Sequence, residues 1–191
     1  MTLTIETERL ILRPFRISDA ADVFEYLHDP EMNCFLDMRL ASLEDAEAEM
    51  ARRLDDGLYL AVELKENGKV IGEIFSAPEG TDPSGEDLDT YSPCWMLHPA
   101  YKRKGYGYEM AQAYLDLLFR TMGARRVYMY TEDTNIASQK LCEKLGARRE
   151  GLFLEFVSFV KDANGEPVYE NTIQYAILHR EWERHEEGER S

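Results

Sequence analysis

The chain has 191 residues, of which 44% are hydrophobic and 31% are charged, so it is long enough to fold as one domain around a core of its own. Its formal net charge of -15 at pH 7 is opposite in sign to that of proteins that bind nucleic acid or anionic membranes. The three cysteines lack the spacing of a disulfide framework or a zinc site, and no segment has the features of a signal peptide or a membrane span. We therefore expect a cytoplasmic protein with one domain over residues 1–191, and no metal, membrane or nucleic-acid binding.

The N-terminal half is predicted to contain one strand, two helices and a hairpin. From the N-terminus these elements are a strand at 10–15, helices within 18–30 and 42–57, and strands at 58–65 and 70–76. The second helix has Ser42 at its predicted N-cap. The hairpin is predicted from Asn67-Gly68, because Asn-Gly between two strand-like runs is typical of a tight β-turn. Segment 77–92 is rich in proline, glycine and acids, so it is predicted to be a loop.

The C-terminal half is predicted to alternate between strands and helices and to close with a second hairpin. Its elements are a strand at 94–97, a helix at 105–122, a strand at 126–131, a helix at 134–146 and hairpin strands at 152–161 and 168–178. Strands 94–97 and 126–131 are joined by a helix, so a parallel arrangement with a right-handed crossover is expected. The whole is a mixed α/β protein. The charged C-terminal tail, 179–191, is expected to fray.

The segment from Trp95 to Gly107 combines a strand, a basic turn with two glycines and the start of a helix. Glycines allow backbone N–H groups to approach a phosphate closely, and cations and the positive end of the helix then neutralise its charge. The dinucleotide-binding pattern is excluded because Met110 stands where its third glycine would be, and the P-loop pattern is absent. The pattern favours an anion site over an ordinary strand-to-helix turn, which stays open as the alternative.

The charge of the chain is unevenly distributed. Segment 91–131 contains six bases and two acids, a net charge of +4, so the rest of the chain carries -19. A cationic island in an acidic protein suggests one surface for a small anion and another for a cationic partner. Alternatively, the acidity serves only solubility.

Three segments resemble the GNAT superfamily of acetyl-CoA-dependent N-acyltransferases. Lys102-x-x-Gly105-x-Gly107 is similar to the superfamily's Gln/Arg-x-x-Gly-x-Gly/Ala motif, with lysine in the first position. Segment 135–146, Asn-Ile-Ala-Ser-Gln-Lys-Leu-Cys-Glu-Lys-Leu-Gly, resembles its Asn-x-x-Ser/Ala helix. Segment 6–14, Glu-Thr-Glu-Arg-Leu-Ile-Leu-Arg-Pro, is similar to the first strand of the branch that contains ribosomal-protein N-terminal acetyltransferases. The segments occur in family order over nearly the whole chain.

The resemblance implies a fold and a cosubstrate site. The fold would be a mixed, mostly antiparallel sheet of about seven strands, with helices on both faces and a central parallel pair that splays apart. Acetyl-CoA would enter the gap, with its pantetheine arm bound by backbone groups near Met96 and Leu97 and by the side chain of Asn135. Its pyrophosphate would be held by the turn residues Lys102, Arg103, Lys104, Gly105, Tyr106 and Gly107. No metal is implied.

The resemblance also suggests a proton donor. Ser138 lies one turn beyond Asn135 and would protonate the departing thiolate of CoA. Many relatives place a tyrosine where this chain has Cys142, which favours Ser138 for this role. The alternatives are that Ser138 is an ordinary surface serine and that Cys142 is a small core residue.

The candidate base is Glu155, in strand 152–161. Alternation places it on the same face as Phe153, Val157 and Phe159. A carboxylate on such an apolar face would be desolvated, and its pKa would rise toward the range that suits a general base. Glu73 is a second candidate. His98 is predicted to end its strand rather than to act as a base, and Tyr175 either packs in the core or lines the cleft.

The leading hypothesis is acetyl transfer to a primary amine by direct attack, without a covalent enzyme intermediate. The acidic balance favours a cationic acceptor, such as a basic protein N-terminus or a small polyamine-like molecule. Two alternatives are an acetyl-CoA-binding regulatory module without transferase activity and an acyltransferase that uses Cys94 or Cys142 as nucleophile. Monomer and homodimer both stay open.

Overall fold

The structure is a computed structural model that describes residues 3–54, 57–80 and 88–189. The chain divides into two units, one formed by residues 1–75 and 94–113 and the other by residues 76–93 and 114–191. Each unit contains one five-stranded sheet among the described residues. Within these ranges, no helix is both long and apolar enough to cross a membrane.

The first unit contains an entirely antiparallel sheet with the strand order β1-β2-β3-β4-β7. Its strands are β1 (Ile5–Glu6), β2 (Leu10–Pro14), β3 (Tyr59–Leu64), β4 (Val70–Phe75) and β7 (Cys94–Leu97), and its helices are α1 (Ala20–Leu27), α2 (Leu43–Arg53) and the first part of α3 (Tyr106–Asp116). Val23, Leu27 and Met50 from the helices pack with Val70 and Met96 from the sheet. The hydroxyl of Ser42 accepts a hydrogen bond from the N–H of Asp45, which confirms the predicted cap of α2.

The second unit contains a mixed sheet with the order β5-β6-β8-β10-β9. Its elements are β5 (Pro78–Gly80), β6 (Leu88–Tyr91), a π-helical turn that ends α3 (Leu117–Thr121), β8 (Arg126–Glu132), α4 (Ile136–Lys144), β9 (Arg148–Lys161), β10 (Pro167–Leu178) and α5 (His179–Glu189). Strand β8 pairs parallel with β6 and antiparallel with β10. The two units together confirm the predicted mixed α/β class.

The predicted loop at 77–92 is partly wrong, because two short strands lie within it. The first, β5, pairs with β6, and β6 is the parallel neighbour of β8, with Thr90 opposite Arg126. An ion pair between the Arg125 Nε and an Asp89 carboxylate oxygen, 2.7 Å apart, joins the same two segments. The prolines, glycines and acids of this segment predicted a loop, and β6 could not be recognised as a strand because its partner β8 lies far along the chain. Residues 81–87 of the predicted loop lie outside the described residues.

The tail predicted to fray is instead helical over His179–Glu189. Trp182 is fully buried, stacks on Phe119 with ring centroids 5.7 Å apart, and donates a hydrogen bond from its indole N–H to Asp116 at 3.0 Å. The charged residues of this segment predicted a frayed tail, but burial of one large aromatic ring stabilises the helix by more than the charges destabilise it. Residues 190 and 191 lie outside the described part.

Candidate active site

The basic turn of residues 102–107, here called the anion turn, connects β7 to α3. It begins after a short 3-10 turn, Pro99–Tyr101, that is capped by His98, whose Nδ1 accepts a hydrogen bond from the Ala100 N–H at 3.1 Å. The His98 Nε2 lies 3.3 Å from a Glu25 oxygen. Both ring nitrogens therefore have structural contacts, which supports the interpretation of His98 as the end of its strand.

The anion turn contains two residues in the left-handed region, Arg103 with a φ of 61° and Gly105 with a φ of 87°. Glycine adopts this conformation readily, whereas a residue with a side chain does so at a cost of about 1–2 kcal/mol. A side chain at position 105 would also have its Cβ only 3.1 Å from the Arg9 Nη2. These two constraints explain why the pattern requires glycine at position 105.

The first backbone N–H groups of α3 have no carbonyl partner within the helix, since the preceding residues are not helical. They include those of Tyr106 and Gly107, whereas the Glu109 N–H already donates to the Gly105 carbonyl oxygen at 3.1 Å. Gly107 places no side chain over this end of the helix. A helix start of this kind binds anions through its N–H groups and its dipole. The geometry thus suits the phosphate site predicted from the sequence.

The anion turn itself contains three exposed cations, and two of them contact other side chains of the protein. Lys102 forms an ion pair with Glu31, and the Lys104 ammonium lies 5.1 Å from the centre of the Tyr101 ring. Arg103 is exposed at the left-handed position. The ion pair was not predicted, because Glu31 is 71 residues away along the chain.

Met96 and Leu97 lie on β7, the last strand in the order of the first sheet. The Met96 side chain is buried in the core of its unit, opposite Glu73 of β4. Only one edge of β7 faces β4, so alternate backbone groups along the other edge point away from this sheet's ladder. Such an edge can bind an extended molecule through main-chain hydrogen bonds. The edge of β7 therefore fits the amide-containing pantetheine arm of CoA, and the anion turn that follows it fits the diphosphate.

Glu73 is completely buried and accepts three hydrogen bonds. The Tyr59 hydroxyl donates to one carboxylate oxygen at 2.6 Å, and the Tyr26 hydroxyl and the Arg53 Nη1 donate to the other at 2.9 Å each. Burial, together with the negative charge of Glu73, raises the pKa of both tyrosines well above the usual value, so both stay protonated donors. A carboxylate held in this way stabilises the unit and has little capacity left to accept a substrate proton.

Asn135 and Ser138 lie together at the start of α4. The side-chain oxygen of Asn135 accepts a hydrogen bond from the Ser138 N–H at 3.1 Å, so Asn135 is the N-cap of the helix. One turn further, Cys142 is fully buried, and this burial raises the pKa of its thiol to about 12, although a hydrogen bond from Ser138 lowers it in part. A thiol that remains protonated is a poor nucleophile. The structure thus supports a core role for Cys142.

The predicted environment of Glu155 is wrong, because its side chain is exposed. Glu155 has a φ of 49°, which interrupts the alternation on which the prediction of an apolar face depended. Its N–H donates to the Asn171 side-chain oxygen at 2.9 Å, and the Asn171 amide group donates to Asp133 at 2.9 Å. The desolvation that the alternation predicted for Glu155 is therefore not found. The sequence offered no signal for Asn171 or Asp133 as supports of this residue.

Four aromatic side chains of β8 and β9 form what is here called the aromatic patch: Tyr128, Tyr130, Phe153 and Phe156. Their ring centroids are 5.0–6.2 Å apart, and all but Tyr128 are exposed. The Tyr128 hydroxyl donates to Glu79 at 2.7 Å. Tyr175 lies elsewhere, buried with its hydroxyl donating to Glu143 at 3.2 Å, which supports core packing for that residue.

Known proteins resemble the chain in sequence and in structure. Residues 9–148 match the acetyltransferase (GNAT) domain family. The uncharacterized N-acetyltransferase YnaD of Bacillus subtilis (strain 168) is 31% identical over 179 residues, which cover 93% of this chain and 98% of YnaD. An acetyltransferase of the GNAT family from Bacillus anthracis has a TM-score of 0.78 at 27% identity and covers 94% of this chain and 100% of its own.

A ribosomal-protein-S5-alanine acetyltransferase from Vibrio fischeri shares the fold, with a TM-score of 0.71 at 19% identity, covering 94% of this chain and 98% of its own. At this identity the likeness concerns the fold alone. The family match covers most of the chain, however, and the relative in Bacillus subtilis extends over nearly all of it. The chain therefore belongs to the GNAT family of acetyltransferases and is an acetyltransferase that uses acetyl-CoA.

Proposed function

We propose that this acetyltransferase moves the acetyl group of acetyl-CoA to a primary amine, either a protein N-terminus or a small cationic amine, by direct attack of the amine. The observation that carries the proposal is the anion turn, a left-handed basic turn between an edge strand and a helix start. The proposal includes a reduced, cytoplasmic location, because the three cysteines lack the spacing of a disulfide framework.

The cosubstrate is held by residues of β7, the anion turn and α4 in this proposal. Backbone groups near Met96 and Leu97 bind the amides of the pantetheine arm and polarise the thioester carbonyl. The N–H groups of the anion turn bind the diphosphate, and Lys102, Arg103 and Lys104 neutralise its charge. The Asn135 side chain contacts the pantetheine arm from the cap of α4.

Two residues handle the protons. The Ser138 hydroxyl gives a proton to the departing thiolate, and Glu155 removes a proton from the attacking amine, directly or through a water molecule. The exposure of Glu155 allows it to exchange that proton with solvent after each turnover. Glu73 is the weaker candidate, because its oxygens already accept hydrogen bonds from Tyr26, Tyr59 and Arg53.

The hairpin of β9 and β10 supports a cationic acceptor. Residues 153–171 of this hairpin contain four acids and one base, a net charge of -3, and its first strand carries Phe153 and Phe156 of the aromatic patch. Aromatic faces and carboxylates both attract an ammonium group. The fold shared with a ribosomal-protein-S5-alanine acetyltransferase adds a protein N-terminus to the acceptors worth testing, by analogy alone.

The test combines calorimetry with an activity assay. Acetyl-CoA is first titrated into the protein, and then acetyl-CoA is incubated with a panel of peptides, polyamines and other amines, with free CoA and acetylated products measured by mass spectrometry. We expect binding of acetyl-CoA, acetylation of cationic amines, and a kcat/KM that falls as salt rises. Binding without transfer to any amine would overturn the proposed reaction, and a flat salt profile would overturn the electrostatic choice of acceptor.

A further inference from the structure

The segment just before β2 contacts the anion turn through Arg9. The Arg9 Nη1 donates to the Lys104 carbonyl oxygen at 3.0 Å, and the guanidinium carbon lies 4.5 Å from the centre of the Tyr106 ring. The Arg9 Nη2 is the atom closest to the space where a Cβ would stand at Gly105. One side chain therefore contacts three consecutive residues of the turn, including the left-handed glycine.

The same arginine also binds Glu109, in the first turns of α3. The Arg9 Nε donates to one oxygen of Glu109 and the Arg9 backbone N–H to the other, each at 2.7 Å. The Thr7 hydroxyl donates to the second oxygen at 2.6 Å. Burial alone would raise the pKa of Glu109, but the hydrogen bonds from Thr7 and Arg9 outweigh it and hold that pKa below the usual value.

Glu109 poses a problem for an anion site. A carboxylate near a helix N-terminus interacts favourably with the dipole, and it occupies the same positive end that a bound phosphate would use. Two negative charges that share one site repel each other. The carboxylate of Glu109 is only 14% exposed and accepts hydrogen bonds from residues 7 and 9, and the Arg9 guanidinium offsets its negative charge.

We propose that Arg9 is a positioning residue for the diphosphate site. It neutralises Glu109, so that the helix start stays positive, and it fixes the backbone of residues 104–106, so that the N–H groups of the anion turn are oriented before the ligand arrives. Preorganisation of this kind lowers the entropic cost of binding. The inference rests on the proposed function, because it assumes that the turn binds acetyl-CoA. It also assigns a role to Thr7 and Arg9 within the N-terminal segment 6–14.

A purely structural role predicts something different. The Arg9 side chain is 42% exposed, and exposed ion pairs contribute little to stability. If the pair with Glu109 only stabilised the fold, its loss would change the unfolding midpoint slightly and the affinity for acetyl-CoA not at all. If Arg9 positions the turn, affinity falls much more than stability, and kcat at saturating acetyl-CoA stays close to that of the parent.

Four variants of the full chain test the proposal: Arg9→Ala, Arg9→Lys, Glu109→Gln, and Arg9→Ala combined with Glu109→Gln. Acetyl-CoA affinity is measured by calorimetry, and KM and kcat in the acetyl-transfer assay. We expect Arg9→Ala to weaken binding about 10-fold, within the usual range for coupled neighbours, and to raise KM rather than lower kcat. Arg9→Lys keeps the charge but cannot make both contacts, so it should fall between Arg9→Ala and the parent.

The double variant is the decisive measurement. Removing the unpaired carboxylate should restore part of the affinity lost in Arg9→Ala, whereas Glu109→Gln alone should bind acetyl-CoA like the parent. Arg16→Ala is the matched control, because Arg16 is an exposed arginine in the same unit that lies 3.6 Å from Glu63. It removes the same charge and should leave affinity unchanged.

Equal affinity of the parent and Arg9→Ala would overturn the proposal, and so would a double variant that binds as weakly as Arg9→Ala. A fall in affinity of the same size in Arg16→Ala would mean that the loss comes from the change in net charge alone, and this result would also overturn the proposal. A parent protein that does not bind acetyl-CoA overturns the proposed function instead, so the two failures are distinguishable. Where Arg9→Ala does not fold, Arg9→Lys with and without Glu109→Gln answers the same question.

Discussion

The surroundings of Glu73 and of Glu155 differ in almost every respect. Glu73 is fully buried in the first unit, with both oxygens bound by Tyr26, Tyr59 and Arg53. Glu155 is exposed on the hairpin of the second unit, on a left-handed backbone held by Asn171. A saturated buried carboxylate serves the fold, whereas an exposed one can exchange protons. The hydrogen bonds to both oxygens of Glu73 argue against a role as the base, although its burial alone would favour one, and Glu155 stays the candidate.

The backbone conformation also differs between Glu155 and Glu73. In the described part of the chain, Arg103 and Glu155 are the two residues other than glycine with a positive φ. One lies in the anion turn and the other is the candidate base. Such residues persist only where the surrounding structure enforces them, and they cluster at functional sites. The positive φ of Glu155 is thus a further reason to test it before Glu73 as the base.

The largest expected effect is on catalysis. If Glu155 and Ser138 transfer protons, Glu155→Gln and Ser138→Ala should each lower kcat by about 100- to 10,000-fold, with the unfolding midpoint nearly unchanged. Steady-state kinetics with a peptide amine measures this. Glu66→Gln, an exposed glutamate in the β3–β4 turn, is the control. A variant that turns over as fast as the parent removes its residue from the mechanism.

The next effect is on stability and concerns Glu73. Glu73→Ala removes the acceptor of both tyrosine hydroxyls and of the Arg53 Nη1, while Arg53 keeps its ion pair with Glu49. The free energy of unfolding should therefore fall by about 3 kcal/mol, the lower end of the range for breaking a buried ion pair. Tyr59→Phe, which removes one donor, should cost about 1 kcal/mol. Urea denaturation measures both. A loss below 1 kcal/mol in Glu73→Ala would show that the buried network does not stabilise the unit.

The third prediction concerns Glu109, which is less buried than Glu73 and less exposed than Glu155, and it is a dependence of stability on pH. Its pKa is lower in the folded protein than in the unfolded chain, where the usual value is 4.5. Its contribution to stability is therefore present above that pH and is lost as the pH falls through the lower, folded-state pKa. The unfolding midpoint of the parent should fall more steeply below pH 4.5 than that of Glu109→Gln. Parallel curves for the two proteins would contradict the shift.

The smallest expected effect concerns Lys102. Its partner Glu31 is half exposed, and such surface pairs are worth about 0–1 kcal/mol. Glu31→Gln should free Lys102 for the diphosphate and lower the KM for acetyl-CoA by about 5-fold at most, the equivalent of about 1 kcal/mol. A higher KM in this variant would mean that the ion pair helps to hold the turn in its binding conformation.

Local patterns explain what could be predicted for the candidate site. The glycine at position 105 and the three adjacent bases are close in sequence, and the left-handed φ of Gly105 follows from the turn itself. The helical spacing that places Ser138 one turn after Asn135 is likewise local, and α4 confirms it. The left-handed backbone of Glu155, which breaks the alternation, could not be predicted, because the N–H there binds Asn171, a residue 16 positions away in another strand.

The sequence by itself determined the α/β class, the β3–β4 hairpin, the cap of α2 and the position of the anion turn, since each follows from residues within a few positions of one another. Only the tertiary structure decided that β6 is a strand, that the C-terminal segment is a helix around Trp182, and that Glu73 is bound by Arg53 and two tyrosines. It also placed Glu109 against Arg9, 100 residues away along the chain. The physical reason is that burial, ion pairing and strand partnership depend on which distant segments meet, and short-range spacing does not encode that.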